Sequence, residues 1–93
     1  MPKKKEEAVL LIGIKPTMKY VLFAYKTLDK EDKIIVKSRG RYIYRAVDVV
    51  QVLTRTYLKD LKVSDIKIGT QEVTDRKTNK PRNVSTIEIV LSK

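Results

Sequence analysis

The side chains able to do chemistry in this 93-residue chain are its cations. Cysteine and histidine are both absent. Their loss removes thiolate and imidazole nucleophiles, leaves only oxygen ligands for a metal, and takes away the commonest general acid-base group. The carboxylates do not fill the gap: Asp29, Glu31 and Asp32 fall in a turn among Lys30 and Lys33, where surface pairing is expected instead of cation binding. An enzyme is therefore not expected, and neither is a cofactor. What remains is 21 lysines plus arginines against 11 acids, a net charge of +10 that every partner meets as a positive field. The expected ligand is an anion.

Three clusters concentrate that charge. At 100° per residue, Lys15, Lys19, Lys26 and Lys30 form one ridge beside a helix's apolar stripe. Lys15 stands just before Pro16 at the helix start, where open N–H groups and the positive dipole end attract an anion. The second cluster, Lys37-Ser38-Arg39-Gly40-Arg41, lies where a strand ends and a helix begins, with Arg45 one turn further on. Gly40 lets backbone amides approach an oxyanion closely, and Arg39 and Arg41 supply forked donors suited to phosphate. The third, Asp75 to Arg82, sets Arg76, Lys77, Lys80 and Arg82 against one acid at a hairpin tip spanning Thr74 to Asn83. Two arms of about five residues, roughly 17 Å long, would enter a groove some 6 Å wide. Each cluster has a plainer alternative: a solvated helix face, a tight turn, or a mobile loop whose charge aids solubility.

The elements that must carry these clusters follow from hydrophobic period. Met1 to Glu7 is charged and reads as a flexible tail, with a single domain over 8–93. Ala8 to Ile12 is a continuous apolar run, the pattern of a strand covered on both faces. Met18, Val21, Leu22, Tyr25 and Leu28 then recur at helical spacing after Pro16, which suits a first helical turn. Lys33 to Lys37 is a second strand, and Ile43, Ala46, Val47, Val50, Thr54 and Tyr57 mark a second helix to about Leu58, the longest element. Asp48, one turn from Arg45, suggests a local salt bridge. Val63, Ile66, Ile68 and Val73, then Ile87, Ile89 and Leu91, alternate as a long hairpin. The expected fold is α/β in the α+β two-layer sense, ordered strand-helix-strand-helix-strand-strand with a closing antiparallel pair. No apolar run nears the roughly 20 residues of a membrane helix, and an intracellular soluble protein without membrane association is expected. Phe23 falls off the core stripe. Tyr42 and Tyr44, crowding the basic junction, suit base stacking or a subunit contact, and Tyr57 suits a subunit contact.

From about Val9 to the C-terminus the chain resembles the Alba family of archaeal chromatin proteins. The residues that carry the likeness are Leu11 to Leu22, Lys37 to Arg41, Arg45-Ala46-Val47-Asp48, Gly69-Thr70-Gln71 and Val84 to Ile89. The resemblance implies a four-stranded mixed sheet with two helices, like the C-terminal domain of translation initiation factor three, and a homodimer that coats double-stranded DNA with little sequence preference and also binds RNA. It implies contacts from Lys15, Arg39 and Arg41 on the body and from Arg76, Lys77, Lys80 and Arg82 on minor-groove arms, with Tyr57 where dimers touch along DNA. Lys19 replaces a common asparagine and adds a cation, and Ile14 replaces the first of the usual lysine pair, leaving no amine there to acetylate. A chromosome-associated cytoplasmic location is expected.

Overall fold

A computed structural model describes residues 7–93, so the expected tail lies, except for Glu7, outside the described residues. Glu7 sets its carboxylate 3.5 Å from Lys33 Nζ. The elements are β1 (Ala8–Leu11), α1 (Thr17–Lys30), β2 (Lys33–Arg39), α2 (Ile43–Val52), β3 (Lys62–Thr74) and β4 (Pro81–Ser92). A 3-10 turn at Gly40–Tyr42 leads into α2, and a π-helical turn at Leu53–Tyr57 extends it. One mixed sheet runs β1-β2-β4-β3: β1 and β2 are parallel, and β4 is antiparallel to both β2 and β3. The element order is the expected one.

Both helices pack on a single sheet face, against β1 and β2. That face carries Leu10, Ile34, Val36, Ile89 and Leu91 into the core, alternating with residues on the open face. From above, Val21, Ala24 and Leu28 of α1, Ala46, Val49 and Val50 of α2, and Leu53 close the core. The C-terminal residue pins the end of α1: Lys93 donates its amide to Asp32 O at 3.0 Å and its ammonium to Leu28 O. No helix among the described residues is long and apolar enough to cross a membrane.

Four expectations need correction. β1 is an edge strand, not a doubly covered one, and leaves Val9 and Leu11 exposed on the open face. The buried stripe of α1 is Tyr20, Val21, Ala24 and Leu28, while Met18, Leu22 and Tyr25 are exposed. Pro16 is the N-cap in extended conformation and not a first-turn residue, and no side chain caps the helix there. The second helix reaches Tyr57 as a helical path, but its regular part has 10 residues against 14 in α1. Beyond Val52 the Leu58 N–H reaches back five residues to Leu53 O at 2.7 Å, the wider π pitch.

The reassigned stripe is testable by denaturation. Leu28→Ala, fully buried, is expected to lose about 2–5 kcal/mol, whereas Leu22→Ala, half exposed on the same helix, should stay within about 0.5 kcal/mol.

Candidate nucleic-acid interface

The hairpin departs from the body where β2 ends. The last β2–β4 pair is Arg39↔Thr86, and beyond it β3 and β4 pair only with each other, from Thr70↔Ser85 to Thr74↔Pro81. Five pairs make a ribbon of about 17 Å. Pro81, which has no N–H to give, is the first residue of β4, where the strand pairs on one side alone. The ladder runs further than the sequence suggests, so the tip is Asp75 to Lys80, and Arg82 and Asn83 are strand residues. The tip is an ordered turn. Asp75 O accepts from Asn79 N at 2.7 Å, its carboxylate accepts from Lys77 N at 2.8 Å, and Asn79 takes φ 61°. Asp75, the one acid at the tip, thus shapes the turn, and Arg76, Lys77, Lys80 and Arg82 stay exposed.

Gly40 joins this arm to the body. Its φ of 60° lies in the left-handed region, and a Cβ there would stand 3.3 Å from Val84 Cγ1 at the arm's root. The close approach brings Arg41 and Arg82 into one groove with Asn83, Val84 and Ser85. Arg39 Nη1 donates to Gln71 Oε1 at 3.3 Å, a second tie between body and arm. Gln71 belongs to the Gly69-Thr70-Gln71 motif, but nothing in the motif marks it as the partner of Arg39.

On the other side of the Gly40 turn, Tyr42 lies beneath two guanidinium groups, Arg41 at 5.7 Å and Arg45 at 5.6 Å from its ring centroid. Arg45 also lies 5.5 Å from the Tyr44 ring and donates to Tyr44 Oη at 3.1 Å and to Gly13 O at 2.7 Å. Arg45 therefore turns toward the β1–α1 loop and forms no ion pair with Asp48 among the described contacts. Tyr42 and Tyr44 are occupied as cation–π partners. The loop itself presents Lys15, exposed, beside the uncapped start of α1, with Lys19 exposed one turn on. Lys15, Arg41, Arg39 and the arm thus belong to one connected band, whereas Lys26 and Lys30 lie toward the far end of α1.

Comparison with known proteins follows this geometry. The Alba family model matches residues 8–70. The chain belongs to the Alba family. It is 38% identical over 89 residues to the DNA/RNA-binding protein Alba of Thermoplasma acidophilum, covering 95% of this chain and 98% of that one. Alba from Thermoplasma volcanium superposes with a TM-score of 0.84 at 36% identity, over 91% of this chain and 99% of that chain. An Alba protein from Trypanosoma brucei follows at TM-score 0.70 and 26% identity, over 97% and 72% of the two chains. The family match spans the loop of Lys15, the Gly40 junction and the root of β3; the arm tip lies beyond it.

Gly40 is the joint most exposed to substitution. Gly40→Ala is expected to cost about 1–2 kcal/mol in urea unfolding from the left-handed backbone alone, with the Val84 contact adding to it.

Proposed function

We propose that this chain is an architectural protein that binds double-stranded DNA without strong sequence preference, as a dimer, through the basic body and the hairpin arms. The observation that carries the reading is the continuity of the cationic band: Arg39 and Arg41 stand at the root of an arm that carries four exposed cations, three at its tip and Arg82 on β4. The name of the Thermoplasma acidophilum relative, which shares most of its length with this chain, supports nucleic acid as the ligand. Binding is the role, and no chemical step is assigned.

Affinity on this reading comes from phosphate neutralisation and release of condensed counterions, with groove shape setting preferences in place of base edges. Lys15, Lys19, Arg39 and Arg41 contact the backbone from the body. The arm, a two-stranded ribbon, enters the minor groove with Arg76, Lys77, Lys80 and Arg82. A cytoplasmic, chromosome-associated location goes with this role. RNA is the second reading, favoured by the same relative's printed name, because a band that grips phosphate by charge does not itself distinguish the two backbones.

The dimer is supported by an apolar strip left uncovered. Ile66 and Ile68 pair with Ile89 and Ile87 on the helix-covered face, yet β3 lies outside the helices' cover and Ile68 is 82% exposed. Val63 continues the strip, and Tyr44 and Val47 of α2 are exposed as well. Such a surface on so small a domain is the kind that pairs with a copy of itself. Tyr57, half exposed and edge-on to Tyr25 with ring centroids 6.0 Å apart, is suited to contacts between neighbouring dimers on DNA.

Two measurements test the reading. If a dimer neutralises about six phosphates, log K for duplex DNA should fall against log salt with slope near about −5, and Arg39→Ala with Arg41→Ala should flatten it while weakening all sequences alike. A salt-independent affinity, or a loss limited to certain sequences, would contradict it, and structured RNA competing at matched salt would rank the two ligands. Ile68→Asp is expected to yield a folded monomer by sedimentation; an unchanged oligomer would remove this strip from the interface.

A further inference from the structure

We infer that Tyr20 and Arg45 are positioning residues for the Lys15 contact: together they hold the β1–α1 loop in the form that presents Lys15 to a phosphate. This rests on the nucleic-acid reading above and adds a mechanism to it. The loop has little structure of its own, yet its backbone polar groups are held one after another by side chains from three elements. Ser38 Oγ of β2 donates to Ile12 O at 3.2 Å. Tyr20 Oη of α1 accepts from Gly13 N at 2.9 Å and from Lys15 N at 3.1 Å. Arg45 Nη1 of α2 donates to Gly13 O at 2.7 Å.

The chemistry of each clamp fits holding better than contacting. Tyr20 is 8% exposed, so its ring is anchored in the core while its oxygen stands at the loop. One phenol oxygen has two lone pairs, and two amide donors fill both. Arg45 uses one guanidinium nitrogen on Gly13 and another on Tyr44, and its plane rests by the Tyr42 and Tyr44 rings. A guanidinium so engaged keeps its charge but has little freedom to follow a phosphate. Lys15 is the opposite case. Its side chain is exposed and its amide is tied down, so the main chain is ordered before any ligand arrives. Preorganisation of this kind raises affinity by removing an ordering cost from the binding step. Because the Tyr42 ring also lies by Arg41, the clamp couples the loop of Lys15 to the Gly40 junction.

The test is a double-mutant cycle in the full chain. Duplex DNA binding is measured for wild type, Tyr20→Phe, Arg45→Lys, Lys15→Ala and both doubles, alongside amide hydrogen exchange of the free proteins. Tyr20→Phe is expected to weaken binding about two- to tenfold, the scale of one or two net hydrogen bonds. Arg45→Lys should weaken it too, since an ammonium keeps the charge but not the planar fork. Both losses should vanish in the Lys15→Ala background. Exchange at the Gly13 and Lys15 amides should quicken in Tyr20→Phe while the Val36 amide in the core does not. A loss that persists in full without the Lys15 side chain, or loop amides no faster in Tyr20→Phe, would overturn the inference alone. Lys15→Ala equal to wild type would likewise overturn the inference alone, whereas wild-type binding without salt dependence would overturn the binding reading and this inference with it. Should Tyr20→Phe melt early, Arg45→Lys carries the same cycle.

Discussion

The structure depends on keeping cations in place without neutralising them. A net charge of +10 on 93 residues repels itself, and the simplest way to order an arginine, a carboxylate partner, would cancel the charge it is there to present. Around the three arginines of the candidate interface, Arg39, Arg41 and Arg45, the partners are neutral. Arg39 is held by an amide oxygen, Arg45 by a backbone carbonyl, a phenol and two rings, and Arg41 by the Tyr42 ring. Acids pair with lysines instead: Glu88 with Lys37 at 3.1 Å on the open sheet face, which takes that one cation out of the second cluster, and Glu7 with Lys33. The acid at the arm's tip, Asp75, spends its carboxylate on the Lys77 amide, so the neighbouring cations gain a shaped turn and keep their charge.

The sheet order explains how these charges reach one place. Because β4 returns between β2 and β3, the end of β2 and the root of the hairpin are neighbours, and the Gly40 turn that follows β2 packs directly on Val84. Had β3 paired with β2 instead, β4 would stand at the sheet's edge, one strand away from Arg39. The ribbon lengthens the molecule: the radius of gyration is 14.8 Å, against about 12 Å expected for a compact chain of this length. The same order leaves β3 beyond the helices, which is why Ile66 and Ile68 lie on the core's face yet outside the core.

Much of the fold was legible because period and punctuation are local. The element order, the hairpin, the Gly40 turn and the basic clusters can each be read from a few adjacent residues. What could not be read depends on neighbours distant in sequence. Ala8 to Leu11 has the composition of a buried strand, and only the sheet order makes it an edge. Met18, Leu22 and Tyr25 repeat at helical spacing as well as the true stripe does, and only packing on β2 adds Tyr20 and Ala24 to the expected Val21 and Leu28. Tyr20 and Ala24 do stand four apart and four before Leu28, a signal available but masked by tyrosine's usual place at surfaces. Gln71 carries no charge, so only the Gly69-Thr70-Gln71 likeness pointed to it, and its bond to Arg39 depends on a neighbour distant in sequence.

Tyr20 shows why such residues escape a search for charge. The band is recognised by its cations, but a cation on a loose loop has its affinity reduced by the entropy of ordering that loop. The chain avoids that loss with groups of no net charge or with a charge already engaged, rooted in the core where the same ring that fills space also ends at the loop backbone. On the proposed reading, stability and binding are therefore joined at one side chain: the ring of Tyr20 belongs to the apolar cluster with Val21 and Ala24, and its oxygen belongs to the loop of Lys15. Removing the oxygen alone separates the two, because phenylalanine keeps the packing and gives up only the two amide bonds.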